Sequence, residues 1–136
     1  MTSNVSVYPL NRPPLGPIAR RRLATLMTAV AVTLACASAL HLSGSVHGRS
    51  PAFDATDAGV AEAVIGIVLA GGAAAVVRFP ARARPIALAA IGFATVGFVV
   101  GLNFTARGGH LPDVIYHVAL LPLLFGSLVV LLRARP

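Results

Sequence analysis

IALAAIGFATVGFVVGLNF, residues 86–104, runs without one formally charged side chain. An α-helix of this length measures about 28 Å at ~1.5 Å per residue, and the hydrocarbon of a bilayer is ~30 Å thick. The stretch opens just after Pro85, a residue suited to a helix start because its missing N–H breaks no hydrogen bond there. Reading outward, three further stretches are comparably long and predominantly apolar. Residues 23–42 follow Arg20-Arg21-Arg22, residues 55–77 stop at Arg78, and residues 113–132 begin after Pro112 and stop at Arg133. The connections 43–54, 78–85 and 105–112 are short, which makes sequential helices antiparallel neighbours. The expected fold is therefore all-α: an up-down bundle of four transmembrane helices within residues 20–136.

Composition excludes the main alternatives. Of 136 residues 57% are hydrophobic and 11% charged, against about 25% charged in soluble domains, and the mean hydropathy is +0.84. So short a soluble chain has too little polar surface to cover that much apolar side chain. The net charge of +7 does not mark a nucleic-acid binder, because Trp is absent, aromatics are 6% and apolar stretches separate the arginines. Cys36 is the single cysteine. It excludes an internal disulfide and zinc-type Cys pairs, and in its apolar run it reads as a small hydrophobe.

The basic residues, all arginine, carry topology. Arg12, Arg20, Arg21, Arg22, Arg78, Arg82, Arg84, Arg133 and Arg135 fall on one side of the expected bundle, and Arg49 and Arg107 on the other. The positive-inside bias then places both termini in the cytoplasm of a multi-pass protein of a bacterial inner membrane. Residues 1–19, with Pro9, Pro13, Pro14 and Pro17, read as a disordered cytoplasmic tail. Arg20–Arg22 with Ala37-Ser38-Ala39 imitates a cleavable signal peptide. The long leader before the arginines and the full spanning length of 23–42 favour an uncleaved helix.

Small residues are the material of helix packing in lipid. Gly97 and Gly101 form a GxxxG, and Gly59 with Ala63 and Gly66 with Ala70 repeat the spacing in the second span. This pattern suits close packing of the second and third spans, or a homo-oligomer or larger membrane complex. Pro122 removes the hydrogen bond to the carbonyl of Val118 and is expected to kink the fourth span.

The main functional lead is a segregation. The four acids (Asp54, Asp57, Glu62, Asp113) and four histidines (His41, His47, His110, His117) all belong to the half opposite the nine arginines, together with Asn103 and Tyr116. Glu62 lies roughly 10 Å inward from residue 55, and His117 about 6 Å inward from Asp113, at the helical rise. A charge at such depth costs a few kcal/mol unless paired, hydrated or neutralised by a proton, so both should face the bundle interior. Asp113 and His117, four residues apart, share one helical face. The candidate polar pocket comprises Glu62, His117, Asp113, Tyr116, His41, Asp57 and Asn103.

Two readings share these residues. As structure, Asp54 or Asp57 caps the second span, Asp113 caps the fourth, and the remaining polar groups tie helices across. As function, Glu62, Asp113 and His117 handle a proton or a metal. His41, His110 and His117 are the candidate metal ligands, of a type suited to zinc or copper, and His41 with His117 would be the axial pair of a haem. A quinone held between the helices would be the other redox version. No diagnostic spacing supports a metal or haem, and no cofactor is expected. Nucleotide-binding, nucleophile-elbow and metalloprotease motifs are absent from the sequence, which points away from an enzyme.

The segment Gly108-Gly109-His110-Leu111-Pro112-Asp113-Val114-Ile115-Tyr116-His117, followed by an apolar run ending Leu131-Leu132-Arg133, resembles the last loop and helix of small four-helix bacterial membrane proteins with no assigned activity. Asp57-Ala58-Gly59-Val60-Ala61-Glu62-Ala63 is similar in the same way. The likeness covers about the last eighty residues, and it implies a four-span fold without implying a reaction. Small multidrug exporters also have four spans and one membrane carboxylate. That family carries its glutamate in the first span and uses membrane aromatics, whereas Glu62 belongs to the second span here and Trp is absent. The sequence thus suggests a non-enzymatic accessory or structural membrane subunit with an outward polar pocket. The alternative is a small proton- or metal-handling transporter or relay, and a haem- or quinone-binding redox protein comes third.

Overall fold

The second helix starts where Asp54 folds its carboxylate over the first turn, accepting from the N–H groups of Thr56 at 2.7 Å and Asp57 at 3.1 Å. This fills two of the donors that a helix start leaves unpaired. Asp54, not Asp57, is therefore the cap. In the computed structural model, which describes residues 14–49 and 53–133, four long helices follow one another: α1 (Pro17–Leu42), α2 (Ala55–Arg78), α3 (Ala83–Gly108) and α4 (Leu111–Arg133). A single 3-10 turn, Pro80–Arg82, links α2 to α3.

α1 ends in a Schellman motif. Gly44, at φ 73, reverses the chain while its N–H donates to the His41 carbonyl and Ser45 N–H donates to that of Leu40. Such a left-handed residue suits glycine, which has no Cβ to clash. All four helices are long and apolar enough to cross a membrane. The bundle they form exposes large apolar side chains all round, among them Ile67, Val96, Phe125 and Val130. A soluble monomer does not present so continuous an apolar exterior.

Each helix outruns its apolar stretch. α1 begins at Pro17 rather than residue 23, so residues 17–19 are helical and not tail; residues 1–13, with Arg12, lie outside the described residues, as does Arg135. α3 continues to Gly108, past the expected end at 104. Within this last stretch Thr105 Oγ1 points back to the carbonyls of Gly101 and Leu102, at 3.0 and 3.2 Å. Hydropathy registers Asn103, Thr105 and Arg107 as polar, but their backbone groups continue the ladder. α4 is unbroken across Pro122.

Glycines set how closely the helices approach. A Cβ at Gly72 would lie 2.7 Å from both Ala90 Cβ and Met27 Cε, so this residue is where α1, α2 and α3 meet. Gly66 and Gly59 face α1, the latter against Leu42 and His41. The GxxxG of α3 serves two partners: Gly97 seats Ile65 of α2, and Gly101 seats His117 of α4. The second-to-third-span packing read from that motif thus holds for Gly97 alone. Leu34, Leu69, Ile91, Phe98 and Leu124, each 0–1% exposed, fill the interior between the helices. Cys36 lies on the exposed surface.

The two ends of the bundle differ in charge. Seven described arginines (Arg20, Arg21, Arg22, Arg78, Arg82, Arg84, Arg133) stand at or beside the helix ends on one side, and every described acid and histidine belongs to the other half.

Candidate functional site

The acidic half assembles around His41, whose side chain is 2% exposed. It occupies the last turn of α1, pointing inward because the Schellman turn keeps that segment helical to Leu42. Its Nδ1 is 2.7 Å from Glu62 Oε2, a short hydrogen bond of the charge-assisted length range. One proton lies between the two atoms, since a carboxylate offers only acceptors and a bare imidazole nitrogen likewise. Its Nε2 faces Asp113 Oδ2 of α4 at 3.5 Å, too far for a made hydrogen bond. Both of those atoms are buried, and neither has another hydrogen-bond partner. His41 thus stands between carboxylates from two other helices, bonded to one and merely facing the second.

Supporting contacts surround it. Ser38 Oγ, one turn below His41, donates to the Gly59 carbonyl at 2.7 Å and fixes α1 against α2. Phe53 is buried with its ring 5.8 Å from His41. Gly48 packs directly on Phe53, and Arg49 N–H donates to the Gly108 carbonyl at 2.6 Å. The described parts of the α1–α2 connection therefore fold down over the histidine and join the end of α3.

His117 forms a second centre. Its Nδ1–H donates to the Asp113 carbonyl at 2.7 Å, while Nε2 fills the notch at Gly101, where a Cβ would stand 2.6 Å away. The ring packs 5.1 Å from Phe98. Tyr116, 5.7 Å from Phe98, reaches α1 through a 2.8 Å hydrogen bond with Thr33. Thr33 gives its single hydroxyl hydrogen to the Val30 carbonyl, so Tyr116 is the donor.

Of the residues singled out in the sequence, Glu62, His41 and Asp113 come together, and Tyr116 and His117 pack beside one another on the same turn as Asp113. Asp57 and Asn103 are exposed. His47 is exposed, and His110 sits in the turn before α4, its carbonyl accepting from the N–H groups of Asp113 and Val114. Asp113 itself lies in the first turn of α4, not at its cap. Among the described residues no three His, Cys, Asp or Glu side chains are grouped to hold a metal ion. The two imidazoles also have different surroundings, carboxylates for His41 and a glycine notch for His117. Thr33, Ser38 and Phe53 escaped the sequence reading. Hydroxyls in apolar helices gave no periodic signal, and Phe53 stands outside every span.

No known protein family, curated protein or solved structure matches the chain.

Proposed function

We propose that the protein is a non-enzymatic multi-pass protein of a bacterial inner membrane, an accessory or structural subunit with both termini in the cytoplasm. In it, the Glu62–His41 bond locks the outer ends of α1 and α2 together, with Asp113 of α4 facing the pair. The observation that carries this reading is the 2.7 Å Glu62–His41 bond, nine-tenths buried on the carboxylate side. A carboxylate two turns into an apolar helix is costly unless paired, and its partner comes from a different helix. Beneath the pair the interior is closed by Leu34, Leu69, Phe98 and Leu124, an arrangement suited to a seal rather than a path. The arginine-rich end, with its seven described arginines, supports the cytoplasmic assignment through the positive-inside bias.

A second reading, a proton relay, draws on the unmade contact between His41 Nε2 and Asp113 Oδ2. Asp113, 17% exposed at its side chain, is the outermost member, then His41, then Glu62. A proton entering at Asp113 would close that gap. Glu62→Gln separates the two readings. A lock predicts a less stable protein and no pH-dependent uptake by proteoliposomes with or without the substitution. A relay predicts normal folding and loss of that uptake.

A further inference from the structure

The arginine-rich half contains a groove that the acidic cluster does not involve. Ala24 and Thr28 of α1 form one wall, and Ala70, Ala73, Ala74 and Val77 of α2 form the other. The α2 residues recur at spacings of three and four, which places them along one face of the helix. Their side chains are small, so the two helices leave an apolar trough of about 720 Å³ on the outside of the bundle. Arg78 closes its end, with the guanidinium 5.6 Å from the Phe79 ring. Arg21 and Arg20 stand three and four residues before Ala24 on the same side of α1. Arg20 Nε is buried without a hydrogen-bond partner. No acidic residue is present at this end among the described residues.

From this combination we infer that the groove binds an anionic phospholipid of the arginine-side leaflet, its acyl chain along the alanines and its phosphate at Arg78. The charge decides the occupant. A second copy of the chain would bring its own arginines to the same level, setting like charges together at the mouth of the groove. A phosphate instead supplies the acceptor that guanidinium geometry suits. Near a membrane surface each arginine contributes about 1 kcal/mol toward anionic lipid, equivalent to a roughly fivefold change in affinity.

The inference rests on the membrane reading, which is checked separately by retention of the chain in carbonate-washed membranes. The full chain, purified in mild detergent, is titrated with phosphatidylglycerol and with phosphatidylcholine of the same acyl composition, and bound lipid is counted by native mass spectrometry. Expected are selective retention of phosphatidylglycerol and a roughly fivefold weaker retention in Arg78→Gln. Ala74→Leu, which fills the trough from an exposed position, should also reduce retention. Thermal unfolding of each variant confirms that it is folded. Equal retention of the two lipids, or unchanged retention in both variants, overturns the inference. So does a dimer that Ala74→Leu disperses irrespective of lipid, because the groove would then belong to a second copy.

Discussion

Removing the Glu62–His41 bond one partner at a time measures what holds the acidic half together. Glu62→Ala leaves His41 Nδ1, on a side chain 2% exposed, without its acceptor. An unpaired buried polar group costs about 1–3 kcal/mol, and more where it is charged. His41→Ala is the reciprocal loss, and it also removes the group facing Asp113. Two magnitudes compete for the coupling between them. Breaking a buried ion pair in a water-soluble core costs about 3–5 kcal/mol. Interhelical hydrogen bonds in a bilayer average only ~0.6 and reach ~1.7 kcal/mol, because the separated helices also find partners in lipid. The 2.7 Å length and the deep burial of both groups put this bond at the upper end of the membrane range. The expected coupling in a double-mutant cycle is therefore about 1.5 kcal/mol, read from reversible unfolding in mixed micelles. Glu62→Gln, whose amide oxygen still accepts from Nδ1–H, should retain about half of it. Effects of the two alanine variants that add within ~0.5 kcal/mol would refute an energetic pairing, however short the distance.

Four further outcomes follow from the same geometry. Gly101→Ala places a methyl 2.6 Å from His117 Nε2, so the ring must move and its bond to the Asp113 carbonyl is lost, destabilising the fold by about 1–3 kcal/mol. Gly92→Ala, with nothing within 4 Å, should be neutral or slightly stabilising in the same unfolding assay. Asp54→Ala removes the cap of α2 and should cost ~1 kcal/mol, visible as faster amide exchange at Thr56 and Asp57. Tyr116→Phe deletes the bond to Thr33 while keeping the ring against Phe98, for a loss near 0.6 kcal/mol that Thr33→Val should reproduce without adding to it.

The helices were legible because they rest on one-dimensional quantities: apolar length, proline position and the arginines that end each span. Their true ends were less so. α3 runs on to Gly108 because the backbone of Asn103, Thr105 and Arg107 continues the helical ladder, whereas hydropathy counts those polar side chains against it. The site was legible as a list but not as an arrangement. Depth alone singled out Glu62, and the i,i+4 rule joined Asp113 to His117. The structure instead sets the Asp113 side chain toward His41 and gives His117 only the Asp113 carbonyl. Which face α4 turns toward α1 depends on Gly101 accepting His117, and no spacing within one helix carries that information.

The partition of charge has a mechanical consequence. At the acidic end α1, α2 and α4 are joined by polar groups that must be matched in position, namely Ser38 to Gly59, His41 to Glu62 and Tyr116 to Thr33. Toward the arginine end the helices meet through alanines, Gly72 and aliphatic side chains, contacts held by dispersion rather than by directional bonds. Directional bonds at one end and non-directional packing at the other make the acidic end the fixed point of the bundle. If a change in protonation closes or opens the His41–Asp113 gap, its effect on the helices should be largest at the far end of α4, which only Leu124 and Leu131 anchor by deep burial beyond His117. Spin labels on the exposed ends of α1 and α4 test this directly. A pH-dependent distance change confined to the acidic end would show that the bundle does not transmit it.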